Sequence, residues 1–131
     1  MRSILLDTNA YSAIMRNRGV SVLDAIDDVE NLFFSVVVIG ELHAGFRDSS
    51  RFSENVKILK DFMADSIVSV TGINEETAEI FGEIKSGLKK LGTPVPLNDI
   101  WISAQCVELG AVLVTFDKHF SNIPGLRVWR Q

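Results

Sequence analysis

Four acidic residues stand in apolar company. Asp7 follows Ile4-Leu5-Leu6, Glu41 sits within Val36-Val37-Val38-Ile39-Gly40-Glu41-Leu42, Asp99 precedes Ile100-Trp101-Ile102, and Asp117 follows Val112-Leu113-Val114-Thr115-Phe116. A carboxylate taken out of water needs a partner, and no matching set of Lys or Arg with apolar flanks is visible in the chain. Four carboxylates brought together would repel, and some would be pushed toward protonation. A divalent cation removes that penalty. An all-oxygen donor set suits Mg²⁺ or Mn²⁺, hard ions that keep part of their water shell and bind phosphates. Zinc is not expected, because no Cys/His ligand spacing exists. A hard cation with an open edge can bind a phosphodiester and activate water against it. One ion or two, ~3.5–4 Å apart, would serve.

Whether the four acids meet depends on the elements that carry them. Residues 2–6 read as a short buried strand and 8–16 as a helix, broken by Asn17, Arg18 and Gly19. A second short helix is expected over 21–29. Leu32-Phe33-Phe34-Ser35 reads as the second strand. The next helix carries Ile39, Leu42, Ala44 and Phe46 and ends near Asp48-Ser49-Ser50. Phe52, Val56, Leu59 and Met63 repeat at helical spacing in another. Residues 67–70 form a third strand.

Asn74 is placed to cap a helix with Glu75 and Glu76 in its first turn and an apolar stripe of Ile80, Ile84, Leu88 and Leu91. Gly92 suits its end. Thr93-Pro94-Val95-Pro96 cannot be helical. Residues 98–109 form a helix apolar nearly all round, hence buried. Residues 111–116 make a fourth strand and 126–129 a fifth.

Strands alternating with helices predict an α/β fold with a mainly parallel sheet. Ligands bind such sheets beyond the carboxyl ends of the strands. Asp7 ends strand one, Glu41 lies in about the first turn of the helix after strand two, Asp117 follows strand four, and Asp99 starts the helix that leads back to strand four. Topology therefore gathers at one edge what the sequence scatters.

Bulk properties set limits. At 131 residues the chain is expected to be one domain, 1–131, within the ~100–200 residues usual for a domain. Its 47% apolar and 23% charged composition is that of a globular protein. A net charge of −4 advertises no blanket attraction to nucleic acid, so any such contact must be local. The single Cys106 cannot form an intrachain disulfide and reads as a core residue. No targeting segment and no membrane span are visible, so the expected location is the cytoplasm.

Other residues carry lesser expectations. Thr8 and Asn9 read as caps of helix one. Thr115 points toward the carboxyl edge, where it could bond a carboxylate or a metal-bound water. Asn98 is equally an N-cap or a substrate contact, and His119 could touch a phosphate; Thr115, Asn98 and His119 are the candidate substrate-binding residues. Trp101 reads as core or dimer interface, and His43 as helix surface or interface. Arg16, Arg18, Arg47, Arg51, Lys118 and Arg130 could steer a phosphate backbone, but most read as ordinary surface charges.

The segments LLDTN (5–9), VIGELHAGF (38–46), PVPLNDIWISA (94–104), LVTFDKHF (113–120) and IPGLRVW (123–129), in this order, resemble PIN-domain proteins, and among them the VapC-type toxins of bacterial toxin–antitoxin pairs. The likeness spans essentially the whole chain. It implies a three-layer α/β/α domain with a central sheet of four to five strands and a Mg²⁺-dependent ribonuclease, with Mn²⁺ able to substitute. Asp7, Glu41, Asp99 and Asp117 match the acids that hold the metal and activate water in that family. The resemblance further implies an RNA substrate, a cognate antitoxin protein that covers the active site, and a homodimer. It departs at His119, where some PIN proteins carry a further acid. Two other readings compete: a catalytically silent PIN scaffold, and a phosphoacceptor signalling domain. The second lacks a paired early acid and an acceptor Asp after a middle strand, since strand three ends in Val70-Thr71-Gly72.

Overall fold

Ile4, Leu5 and Leu6 have no exposed surface, which only a central strand covered on both faces allows. The computed structural model describes residues 3–16 and 28–129. Among them the strands are β1 (Ser3–Leu6), β2 (Asn31–Ser35), β3 (Val68–Thr71), β4 (Val112–Val114) and β5 (Val128–Trp129). The helices are α1 (Thr8–Met15), α2 (Val36–Arg47), α3 (Phe52–Met63), α4 (Glu75–Leu91) and α5 (Leu97–Leu109), with a 3₁₀ turn over Lys118–Asn122. The helix expected over 21–29 falls almost wholly outside the described residues.

All strand pairs are parallel, in the order β3-β2-β1-β4-β5. Leu5 stands opposite Phe33 on one side and Leu113 on the other. The helices flank this five-stranded sheet as the three-layer α/β/α arrangement expected. The chain winds outward from β1 to β3, then returns to place β4 against β1. The strand order therefore reverses between β1 and β4, which opens a crevice at their carboxyl ends. Tyr11, Phe34 and Phe62 lock α1 and α3 against β2, with ring centroids 5.1–5.4 Å apart.

Local signals decide several boundaries. Asn74 and Thr77 form a reciprocal capping box at the start of α4, and Gly92 ends it at φ 67°. Three β-branched residues, Val36-Val37-Val38, open α2 with no intervening loop. Ser35, the last residue of β2, caps the helix by accepting the Val37 N–H at 3.0 Å, and that cap overrides β propensity. The fourth strand is shorter than the expected 111–116, because Thr115 and Asp117 turn their side chains to the carboxyl edge. Helix α5 begins at Leu97, with Pro96 at its cap and the Pro96 carbonyl accepting the Asp99 and Ile100 N–H groups. Asn98 is therefore not an N-cap. Trp101 stacks on Phe81 at 3.9 Å, fixing α5 to α4. Cys106 is fully buried, and burial pushes its thiol up to about 12, as befits a core residue.

Candidate metal centre

Asp7 leaves β1 at the strand-order reversal and does two jobs at once. It is the N-cap of α1, its Oδ1 accepting the Ala10 N–H at 2.8 Å. Its Oδ2 accepts the hydroxyl proton of Thr115. The caps expected at Thr8 and Asn9 are thus displaced by the acid itself. Thr8 instead donates its hydroxyl to Glu41 Oε1 at 2.9 Å. Glu41 is the sixth residue of α2, a turn deeper than expected, and this reach from α1 fixes its carboxylate.

Asp99 lies in the first turn of α5, where the helix dipole favours negative charge. Asp117 caps the 3₁₀ turn by accepting the His119 N–H at 3.1 Å. Its own N–H donates to Thr115 Oγ1 at 3.0 Å. A chain of hydrogen bonds so runs from Asp117 through Thr115 to Asp7. Thr115 is only 2% exposed, and its hydroxyl is engaged by the Asp7 carboxylate and the Asp117 backbone.

Asp7, Glu41, Asp99 and Asp117 line one open cleft of about 630 Å³, together with Asn9, Asn98 and His119. That volume lies within the ~300–1,000 Å³ usual for ligand sites. His119 lines the same cleft, bracketed by two of the acids. Its Nε2 lies 2.6 Å from Asp99 Oδ2 and its Nδ1 lies 2.6 Å from Asp117 Oδ1. Asn98 is exposed at the cleft mouth.

The electrostatics match the crowding. Burial raises the Asp7 carboxyl above its ordinary 3.8; the bonds from Thr115 and Ala10 pull it back down, and the charges of Asp99 and Asp117 push it up further. Like charges in a half-dry cleft leave a deficit of positive charge that a divalent cation could fill. The donors are mainly carboxylate oxygens, which suits a hard ion. Asp7, Glu41, Asp99 and Asp117 could hold one, and the residues present fit the group.

Elsewhere the basic residues take ordinary roles. Arg51 pairs with Glu54, Arg47 lies 4.6 Å over the Phe52 ring, and Arg16 and Lys118 are exposed. Arg18 and Arg130 lie outside the described residues. His43 meets Phe46 edge to face on α2, away from the cleft.

The family model for the PIN domain matches residues 4–126. The chain belongs to the PIN domain family. Within that family it is similar to ribonuclease VapC1 of Haemophilus influenzae strain R2866, at 28% identity over 127 residues, 94% of this chain and 93% of the relative. It is 30% identical over 94 residues to ribonuclease VapC4 of Mycobacterium tuberculosis, 72% of each chain. Among solved structures, the DNA-bound VapBC complex of Salmonella typhimurium contains a chain that superposes with a TM-score of 0.87 at 26% identity, covering 98% of both. Two features of this PIN domain escape reading from residue types alone. One is the Thr8–Glu41 bond, which joins residues 33 apart.

The other is a buried network behind the cleft. The Ser35 hydroxyl donates to Gln105 Oε1 at 2.5 Å, and Gln105 Nε2 donates to the carbonyls of Thr71 and Gly72 at 3.2 and 3.1 Å. It ties α5, which carries Asp99, to the start of α2, which carries Glu41. A glutamine amid the apolar residues of 98–109 was the available signal for it.

The role of Thr115 gives a first prediction. Thr115→Val keeps the shape but removes the donor to Asp7 and the acceptor for the Asp117 N–H. Divalent affinity measured by calorimetry should fall about 10–100-fold, the usual effect of losing an outer-shell partner. Thr115→Ser should restore it. Unchanged affinity in the valine variant would show that the hydroxyl only fills space.

Proposed function

We propose that this chain is a divalent-metal-dependent endoribonuclease, the toxin of a toxin–antitoxin pair, formed by a single PIN domain over residues 1–131. The observation that carries the reading is the convergence of Asp7, Glu41, Asp99 and Asp117 on one open cleft at the reversal of strand order. These four acids would hold the cation, of the Mg²⁺ or Mn²⁺ class. When bound, it supplies Lewis acidity toward a water molecule and toward the phosphodiester.

The residues of the chain do the rest. Asp7 and Asp117 are held in register by Thr115, and Glu41 is held by Thr8, so the carboxylates need not reorganise when substrate arrives. Glu41, which lines the cleft and is positioned by the Thr8 hydroxyl, accepts the proton of the attacking water. The water oxygen bonds to phosphorus as the P–O bond to the ribose oxygen breaks, and that oxygen leaves carrying the electron pair and takes up a proton from solvent. Asn98, exposed at the mouth, donates to the phosphate backbone. A negatively charged protein must bring RNA to this cleft by such local contacts.

The relatives named above as ribonucleases, and the VapBC assembly seen in the solved structure, support an RNA substrate and a protein antitoxin as partner. A basic side chain of that partner entering the acidic cleft would neutralise it as a cation does. We also read the chain as a homodimer acting in the cytoplasm; no helix among the described residues is long and apolar enough to cross a membrane.

Brief expression of the chain followed by sequencing of RNA 5′ ends tests the activity. Discrete new ends and arrested growth are expected, both lost in Asp99→Asn. Harmless expression at good soluble yield would remove the toxin reading. Undiminished RNA cleavage by Asp99→Asn, with no divalent binding by the wild type, would remove the nuclease mechanism as well.

A further inference from the structure

We propose that His119 is a nitrogen ligand of the cation held by Asp99 and Asp117, and that it makes the site prefer Mn²⁺ to Mg²⁺. This rests on the metal reading above and sharpens it. The geometry is specific. The imidazole lies between two carboxylates that face the cleft, with one ring nitrogen 2.6 Å from each. One donor atom from each of Asp99, Asp117 and His119 falls within 4.8 Å of the others. A single ion bound there would draw one ring nitrogen and the two carboxylates onto itself by side-chain movement alone.

The ring is not a wandering surface group. The 3₁₀ turn that Asp117 caps brings His119 back over its own cap, through the His119 N–H to Asp117 Oδ1. The imidazole then stacks on Phe120, with centroids 5.1 Å apart and planes 26° apart. Phe120 is 1% exposed, so the ring rests on the core while its edge opens to the cleft. A cation bound by Asp99 and Asp117 must either share its coordination with this nitrogen or push the ring off its platform.

Donor chemistry decides what sharing means. Mg²⁺ demands near-ideal octahedral geometry and oxygen ligands; Mn²⁺ also favours oxygen, but as a first-row transition ion it tolerates one nitrogen donor better than Mg²⁺ does. One nitrogen in the set therefore costs Mg²⁺ more than Mn²⁺. The four acids alone give no such discrimination.

Pulsed electron paramagnetic resonance of the wild-type protein loaded with Mn²⁺ reads the bond directly. Modulation from a directly coordinated imidazole ¹⁴N is expected, retained in His43→Gln and lost in His119→Ala. Titration calorimetry with Mn²⁺ and with Mg²⁺ gives the second readout. His119→Asp, which makes the set all oxygen, should lower the Mn²⁺/Mg²⁺ affinity ratio several-fold. Mn²⁺ bound without nitrogen modulation in the wild type, or with the ratio unchanged in His119→Asp, would overturn the proposal and leave the carboxylate site standing. Failure of the wild type to bind Mn²⁺ at all would overturn the metal reading itself.

Discussion

Asp7→Asn is expected to cut RNA cleavage by more than about 100-fold, beyond the effect of losing an outer-shell partner, and at the same time to stabilise the metal-free protein. The two effects have one cause. Asp7 is 5% exposed, and its carboxyl is raised from 3.8 chiefly by that burial, with Asp99 and Asp117 adding to the rise. In the unfolded chain the group ionises near its ordinary value. Across the window between that value and the raised one, the folded protein holds a proton the unfolded chain has released. Folding stability therefore falls as pH rises through the window, and the full penalty stands above it.

The asparagine amide carries no such penalty. Its oxygen can still accept the Ala10 N–H, and its NH₂ can donate to Thr115 Oγ1. At pH 7 without metal the variant should be more stable by ~0.5–2 kcal/mol, a rise in Tm of roughly 2–6 °C. The gap should close as pH falls below about 3.8, where the wild-type carboxyl is neutral in both states. A saturating divalent ion should reverse the order, since the wild type gains ~2.7 kcal/mol at a hundred times its Kd and the variant gains little. Thermal melts with and without Mn²⁺ across pH give all three comparisons. A less stable variant at pH 7 without metal would mean that the Asp7 charge is not crowded. Unimpaired cleavage would take Asp7 out of the chemistry.

Much of this arrangement could be read from residue order because its signals are local. An acid directly after the apolar run Ile4-Leu5-Leu6, as at Asp7, ties one charge to one sheet edge whatever the rest of the chain does. The Asn74 cap and the Gly92 stop define α4 by backbone chemistry alone. What resisted reading depends on contacts across the sheet. The reversal of strand order between β1 and β4 needs pairings that no window of residues contains. Thr8 carries a hydroxyl that suits a cap as well as it suits Glu41, and only the placement of α2 beside α1 decides between them. Likewise His119 was legible as a residue near phosphate chemistry. Its position between Asp99 and Asp117 follows from a 3₁₀ turn and from the start of α5, two elements joined only in space.

Gln105→Ala should be strongly destabilising, at about 2–4 kcal/mol, because it combines a cavity with lost hydrogen bonds. Gln105 is fully buried and spends its amide on three partners: Ser35 at the end of β2, Thr71 at the end of β3 and Gly72 just beyond it. A drop in Tm on the order of 10 °C follows. Gln105→Met keeps the volume and removes the hydrogen bonds alone, so its smaller cost, about 1–3 kcal/mol, isolates the network.

The position of this network ties that cost to the site. Ser35 caps the helix that carries Glu41, and Gln105 lies on the helix that starts beside Asp99. Loosening the link lets the two carboxylates separate. Divalent affinity of Gln105→Met, measured well below its own Tm, should therefore fall about tenfold or more, although no metal-facing atom has changed. Wild-type affinity in a clearly destabilised Gln105→Met would assign the network to the fold alone. Weakened binding would mean that the spacing of the carboxylates is set from the far side of the sheet edge, by a glutamine that never meets the cation.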